Sequence, residues 1–326
     1  MRRFGKWLGR LILLVVVTIA AVWAFVPQDP VDRVISFDAG TIGADIDVWL
    51  ADREKAYPDI VPGTEKRVIW AGAKGAKTPL SVIYIHGFSA TSEEIRPVPD
   101  QVARTLGANL FFTRLAGHGR GGDPMATATA GDWLEDTAEA LAIGRRLGNR
   151  VLVISTSTGA TLLAFAAIDP IMSADIAGIV MISPNFGVKP AAAKILDFPA
   201  ARYWAPIVAG ATRSFNPVNA KHAKYWTMQY PTTALFPLAA LVRAAKTLNL
   251  SAAKVPLMVL YNPNDQVVDA EKTLAAVKGW GGKVRLEARG TAKGDDPYGH
   301  VIAGDVLSPG QTAGTVALIL DWAKGL

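Results

Sequence analysis

Val151-Leu-Val-Ile-Ser-Thr-Ser157-Thr-Gly-Ala160 is the stretch on which the reading of this chain turns. Four β-prone apolar residues run into a cluster of small ones, and the helix-forming run at 161–167, Thr-Leu-Leu-Ala-Phe-Ala-Ala, follows at once. A strand that turns so sharply into a helix holds one residue at the apex under strain and pushes its side chain outward. Small neighbours on both sides make that turn sterically possible. This is the physical content of the nucleophile elbow, G-x-S-x-G, with serine at the apex. Here the pattern is Ser155-Thr156-Ser157-Thr158-Gly159, so serine replaces the first glycine. Serine is also small, and the mechanics survive: Ser155 falls on the strand side and Ser157 at the apex.

Outward from the elbow, apolar β-rich runs alternate with helical patterns. Strands are expected at 80–85, 109–113, 151–154, 179–182, 255–261 and 284–288, and helices at 93–106, 133–147 and 311–324. Near-continuous apolar strands between helices indicate an α/β fold, a mostly parallel sheet covered on both faces. Residues 27–64 read as a Pro/Asp/Gly-containing tether leading into edge strands, and 65–184 with 255–326 as the core. Between them the composition turns rich in alanine, proline and aromatics, with a helical pattern at 235–248. About 70 residues without a strand signal exceed an ordinary loop, so 185–254 reads as a helical insertion. It would serve either as a structural subdomain or as a lid over an apolar substrate pocket.

Charge and hydropathy divide the chain again. The net charge of +6 is uneven: Arg2, Arg3, Lys6 and Arg10 supply four positive charges before residue 27, and the remainder carries 30 basic against 28 acidic residues. No basic stripe interleaved with aromatics is visible, so a nucleic-acid partner has no support. Residues 11–26 are free of charge, and as a helix these sixteen residues would span about 24 Å, short of a hydrocarbon layer of roughly 30 Å. Trp7 and a snorkelling Arg10 make up the difference. Residues 1–26 are therefore expected to form a membrane anchor with its cations on the cytoplasmic side. The alternative is a signal peptide cleaved near Val22-Trp23-Ala24. Both readings export the remaining chain, as a single-pass inner-membrane protein or as a periplasmic or secreted one. With no cysteine, the chain has no disulfide framework, no thiolate nucleophile and no Cys-based metal site. Half its residues are hydrophobic, enough for a large core to hold the fold instead.

A serine nucleophile needs a base to take its proton and a carboxylate to orient that base. Of four histidines, His222 lies in the insertion, His86 ends a strand before Gly87, and His118 sits in a Gly-His-Gly turn. Only His300, after Asp295-Asp-Pro-Tyr-Gly299, comes late enough for a nucleophile-acid-base order. His86 and His118 are expected to support their turns. The acid should follow a strand between Ser157 and His300, and Asp265 in Asn262-Pro-Asn-Asp265 meets that condition. Asp269 is the competitor but precedes Ala270-Glu-Lys-Thr-Leu and reads as a helix cap. Asp295 and Asp296 read as solvated loop charges. Two N–H donors are needed for an oxyanion, and these are expected from Thr158, at the start of the helix, and Phe88, in the turn that Gly87 lets bend.

Taken together, the chain resembles the α/β-hydrolase fold family over roughly residues 65–326, and more narrowly its bacterial carboxylesterase and monoacylglycerol-lipase-like members. The matching residues are His86-Gly87-Phe88-Ser89, Arg114-Leu-Ala-Gly-His-Gly119, the Ser157 elbow, Asp265 and Gly299-His300. The Ser…Asp…His order belongs to that fold; Ser155 is the departure from it. The resemblance implies a serine hydrolase forming an acyl-enzyme, with Ser157 attacking an ester, His300 shuttling the proton and Asp265 fixing the imidazole. It implies no metal or organic cofactor, and a small ester or monoacylglycerol-like lipid as substrate. Amide, thioester or C–C hydrolysis on the same residues is the alternative chemistry, and a non-catalytic membrane-anchored binding protein the remaining one.

Overall fold

The computed structural model describes residues 2–26 and 28–326, without the side chains of Arg2, Arg3 and Ala24. The boundary expected between anchor and tether, at Pro27, lies outside the described residues, as do the side chains of two of the four flanking cations and of the proposed cleavage residue. Nine strands form among the described residues: β1 (Arg67–Ile69), β2 (Thr78–Ile85), β3 (Asn109–Phe112), β4 (Gly148–Thr156), β5 (Ile176–Ile182), β6 (Thr212–Ser214), β7 (Gln229–Pro231), β8 (Leu257–Tyr261) and β9 (Val284–Ala288). Seven of them make one sheet in the order β1-β3-β2-β4-β5-β8-β9. Only β1 runs antiparallel, pairing with β3; every other neighbour is parallel.

Eleven α-helices accompany them among the described residues: α1 (Arg2–Phe25), α2 (Ile46–Glu54), α3 (Val98–Leu106), α4 (Gly122–Thr127), α5 (Ala130–Leu147), α6 (Thr158–Ile168), α7 (Ala201–Ala209), α8 (Ala220–Tyr225), α9 (Leu235–Ala245), α10 (Ala270–Val277) and α11 (Pro309–Ala323). The side-chain period of two along the strands builds two cores. Ile83, Ile85, Phe111, Val151, Val153, Ile179 and Val259 face one way, under α5, α6 and α9. Val82, Tyr84, Phe112, Leu152, Ile154, Val180 and Leu260 face the other, under α3 and α11. Both faces of the central strands are covered, which is why those strands read as unbroken apolar runs.

Two expected elements differ. The edge strands anticipated within 27–64 are absent from the described residues of that segment, which instead forms α2. Asp45 caps this helix by accepting from the N–H groups of Asp47 and Val48. Upstream, Glu135 accepts from the main-chain N–H groups of Ser36 and Phe37, so a carboxylate takes donors that a strand would have given to a ladder. The helix expected at 93–106 begins only at Val98, immediately after Pro97, and a residue that precedes proline is disfavoured in the helical region. That shortening leaves Glu93 and Glu94 in a turn beside the carboxyl ends of the strands. Between β5 and β8 the chain forms α7, α8 and α9, and also the antiparallel pair β6–β7, which no pattern in the sequence announced.

Candidate active site

The site forms at the carboxyl end of β4. Ser157 sits between β4 and α6 at φ +50° and ψ −112°, the strained geometry expected of an elbow apex. As the residue preceding the helix it makes no side-chain cap, which leaves its hydroxyl free. Gly159 explains the tightness of the turn: a Cβ there would lie 2.3 Å from the Ile85 carbonyl oxygen. At the other glycine position of the motif, Ser155 is fully buried and donates its hydroxyl to the Val180 carbonyl at 3.1 Å. The substitution is thus absorbed by a hydrogen bond to the neighbouring strand.

Ser157, Asp265 and His300 come together across 143 and 35 residues of sequence. His300 Nε2 lies 3.0 Å from Ser157 Oγ, and Nδ1 lies 2.8 Å from Asp265 Oδ2. The other carboxylate oxygen of Asp265 accepts from the N–H groups of Val267 and Val268, so the acid is fixed from both sides. Asp269, the alternative acid, instead caps α10 through the Glu271 N–H. Burial opposes charge on the His300 imidazole, but the hydrogen bond and charge of Asp265 outweigh it, with Glu94 and Asp296 adding to them. The ring therefore titrates above the ordinary histidine value of 6.5.

Asp296 corrects an expectation. It is not a solvated loop charge but a buried carboxylate that accepts from the main-chain N–H groups of Tyr298, His300 and Val301. Ser183 donates to the His300 carbonyl at 2.6 Å, and Asn262 donates to the Gly299 carbonyl at 2.9 Å. The loop carrying the imidazole is held at consecutive residues from three directions. Asp295 is half-buried rather than a freely solvated charge, its Oδ2 accepting from the Ala292 N–H and from the Gln311 side-chain amide.

The turn after β2 forms the facing wall. Among the described residues, the main-chain N–H groups of Phe88 and Thr158 donate to no protein acceptor. Gly87 carries no side chain for a steric reason: a Cβ there would lie 2.7 Å from Glu94 Oε1 and 3.1 Å from Ser157 Cβ. The turn is anchored by Glu94, whose Oε2 accepts from the Gly87 N–H and the Tyr84 hydroxyl, each at 2.7 Å. Burial pushes the Glu94 carboxyl above the usual carboxylate range, against the pull of those two donors. Sequence reasoning missed Glu94, Tyr84, Ser183 and the role of Asp296. For Glu94 the sequence carried no signal, because in Ser89-Ala-Thr-Ser-Glu-Glu94-Ile-Arg96 it reads as one more charge in a polar turn.

His86 supports its turn, donating from Nδ1 to the Gly87 carbonyl and accepting the Leu115 N–H at Nε2. His118 bonds the Ala116 carbonyl through Nδ1 and is pushed down to about 4 by burial. Both rings stay neutral near pH 7. Phe88 packs edge-on against His118, Trp133 and Tyr230, with centroids 5.6, 6.1 and 5.3 Å away. Tyr230 belongs to the segment between β5 and β8, and Thr227 from the same segment donates to the Ser89 carbonyl at 2.7 Å. The insertion therefore touches the turn that borders Ser157. His222 lies within it, its ring accepting the Val218 N–H at 3.1 Å and taking no part in the site. Among the described residues, no group of three or more His, Asp or Glu side chains is arranged to hold a metal ion.

An apex serine after a central parallel strand, followed in the chain by an acid and a histidine that converge on it, defines an α/β-hydrolase arrangement. The model of the alpha/beta hydrolase family matches residues 82–304, and the chain belongs to that family. It is 28% identical over 193 residues to a thermostable monoacylglycerol lipase of Bacillus sp. (strain H-257), covering 58% of this chain and 72% of that protein. A solved metagenome-derived lipolytic enzyme superposes with a TM-score of 0.66 at 21% identity, covering 82% of this chain and all of that one. The monoacylglycerol lipase of Paleococcus ferrophilus superposes with a TM-score of 0.57 at 14% identity, over 80% of this chain and 98% of that one. These structural likenesses concern the fold.

Proposed function

We propose that this chain is a carboxylic-ester hydrolase acting on acyl esters or monoacylglycerol-like lipids through a covalent acyl-enzyme. One observation carries the reading: the His300 imidazole bridges the Ser157 hydroxyl and the Asp265 carboxylate at hydrogen-bonding distance on both sides. In the proposed mechanism His300 Nε2 takes the Ser157 proton as Oγ attacks the ester carbonyl. Asp265 holds the ring with Nδ1 protonated and stabilises the imidazolium that forms. The Phe88 and Thr158 N–H groups receive the negative oxygen of the tetrahedral intermediate. His300 then returns the proton to the departing alcohol, and water releases the acid by the same steps in reverse. No metal or organic cofactor enters this scheme.

The lipid substrate class rests on the likeness to the Bacillus monoacylglycerol lipase, together with the aromatic wall of Phe88 and Tyr230. In this reading residues 185–254 are a cap over the site and 1–26 a membrane anchor that exports the catalytic domain. Phe4–Trp23 is long and apolar enough to cross a membrane, and none of it is buried in the protein. Labelling of the full chain by a fluorophosphonate probe, lost in Ser157→Ala, is the expected result. Equal labelling of the variant would remove Ser157 as nucleophile. With p-nitrophenyl esters from acetyl to palmitoyl, Ser157→Ala should lower kcat by about 10⁶-fold.

A further inference from the structure

The segment between β5 and β8 differs in charge from the rest of the chain. Residues 185–254 contain nine lysines and arginines and one acid, Asp197, whereas residues 27–184 and 255–326 carry 27 acids against 21 bases. The near-neutral balance beyond residue 26 thus conceals a strongly basic cap on an acidic body. Exposed Lys189 and Lys194 lead into α7, and Arg213 follows it.

On the same segment α7 turns apolar side chains outward. Tyr203, Ile207 and Val208 are 75%, 82% and 68% exposed, and Phe198 just before the helix is 46% exposed. On its inner face Ala201 and Ala205 are buried with Phe236. Trp204 also packs against that cluster, but Tyr203, Ile207 and Val208 leave a second apolar face of the helix turned away from the protein.

This face adjoins the end of α1. The Trp23 ring meets the Phe198 ring edge-on with centroids 5.6 Å apart. Immediately after α1, Gln28 donates to the Asp197 carbonyl, Asp29 pairs with Arg202, and Arg243 donates to the Asp29 carbonyl at 3.0 Å. Arg243 also pairs with Asp197 at 3.0 Å. The chain leaving α1 is therefore fastened to the cap within a few residues. A bilayer around α1 would end where the cap begins.

We propose that the outward face of α7, with Phe198, seats on the surface of an anionic phospholipid bilayer beside α1. The apolar side chains enter the interface, the flanking cations meet lipid phosphates, and the cap is held against the layer that would supply a lipid substrate. The proposal rests on the reading of residues 1–26 as a membrane segment, and the test separates the two.

The chain has no cysteine, so Ile207→Cys places a single environment-sensitive fluorophore on the full-length protein reconstituted in vesicles. Lys77→Cys, exposed just ahead of β2 and so at the end of the sheet away from Ser157, is the control. In phosphatidylcholine vesicles containing phosphatidylglycerol, the label at 207 should shift to the blue and be quenched by lipid-borne quenchers, and the label at 77 should do neither. Retention of the protein on the vesicles through an alkaline wash reads the anchor separately. A retained protein with an unquenched label at 207 overturns the docking and leaves the anchor standing. A protein washed off, but quenched at 207 before the wash, overturns the anchor and upholds the docking. Quenching as strong in pure phosphatidylcholine overturns the anionic selectivity, and a shift that follows protein density rather than lipid assigns the face to a second copy. Ile207→Asp with Val208→Asp should lower hydrolysis of vesicle-borne esters by about tenfold relative to a soluble ester, since each charge forfeits interfacial apolar burial. Equal loss on both substrates also counts against the docking.

Discussion

The carboxyl end of the sheet and the segment 185–254, the proposed cap, are built on opposite principles. Around Ser157 the polar groups that set geometry are buried and doubly held: Asp265 by His300 and two main-chain donors, the His300 loop by Asp296, Ser183 and Asn262. The cap has a small core of Ala201, Ala205 and Phe236, an excess of cations, and apolar side chains turned outward. A buried network fixes atoms to fractions of an ångström, which is what bond-making chemistry requires. An exposed, charged and greasy surface fixes nothing so finely, but it suits meeting a lipid layer. Damage to the first region should therefore reach every substrate alike, and damage to the second only substrates presented on a membrane.

After Ser157→Ala, the largest effect the proposed mechanism expects is that of Asp265→Asn. Loss of the carboxylate frees the imidazole to take the wrong tautomer, and kcat should fall by about 10⁴-fold on soluble and vesicle-borne esters equally. The same variant tests the titration of His300. In the proposed mechanism His300 must be neutral to accept the Ser157 proton, so activity should rise with pH through the His300 pKa. Because Asp265 raises that pKa above 6.5, the acid limb of kcat/KM for the native enzyme should lie above 6.5. The amide introduced by Asp265→Asn carries no charge, so the limb of the variant should move to lower pH. A native limb at or below 6.5, or one that the substitution leaves in place, contradicts the assignment.

A smaller effect is expected one step back from the reacting atoms. Glu94→Ala strands the buried Gly87 N–H, at about 1–3 kcal/mol for the unsatisfied group, and takes one of two partners from the Tyr84 hydroxyl, which keeps Thr156 Oγ1 at 3.0 Å. The thermal midpoint should fall, and with the Phe88 turn no longer held, kcat should drop by up to about 10²-fold while KM changes little. Glu94→Gln keeps an acceptor of nearly the same shape and should restore most of both. If Glu94→Ala lowers stability and leaves kcat untouched, Glu94 packs the turn without positioning it.

The same division marks what could be read in the sequence. The sheet was legible because its strands are buried on both faces and so declare themselves as apolar runs. The convergence of Ser157, Asp265 and His300 was legible because each follows a particular strand and was the best-placed residue of its type in its stretch; their catalytic roles are the proposal. Asp296 was misjudged because a carboxylate that serves main-chain donors looks, in sequence, like any loop charge; only the three N–H groups converging on it reveal the difference. The edge strands expected before residue 65 failed for a related reason: Glu135 supplies from 98 residues away the acceptor that would otherwise have been a neighbouring strand. The β6–β7 pair has three residues in each strand, too few for any periodicity to register. The polarity of the cap was visible from the start but vanished in an average, because its basic excess cancels against the acidic body.

That cancellation supplies the smallest and most selective expected effect. The side chains of Lys189 and Lys194 are exposed and lie ahead of α7; the link of Lys189 to the site is its main-chain N–H, which donates to the Val267 carbonyl and survives a change of side chain. Lys189→Glu with Lys194→Glu should leave turnover of a soluble ester unchanged. On vesicles containing phosphatidylglycerol at low salt, each charge near the surface contributes on the order of 1 kcal/mol, so the rate should fall several-fold. The deficit should close as salt is raised, because the screening length shrinks from about 10 Å at 0.1 M to about 3 Å at 1 M. The apolar part of the contact, from Ile207 and Val208, has no such salt dependence, and the deficit of Ile207→Asp with Val208→Asp should persist in part at high salt as lost burial. If salt erased both deficits completely, the cap would be acting through charge alone. If salt altered neither, the basic excess of residues 185–254 would have no part in the membrane contact, and the contrast between the two regions would reduce to buried against exposed.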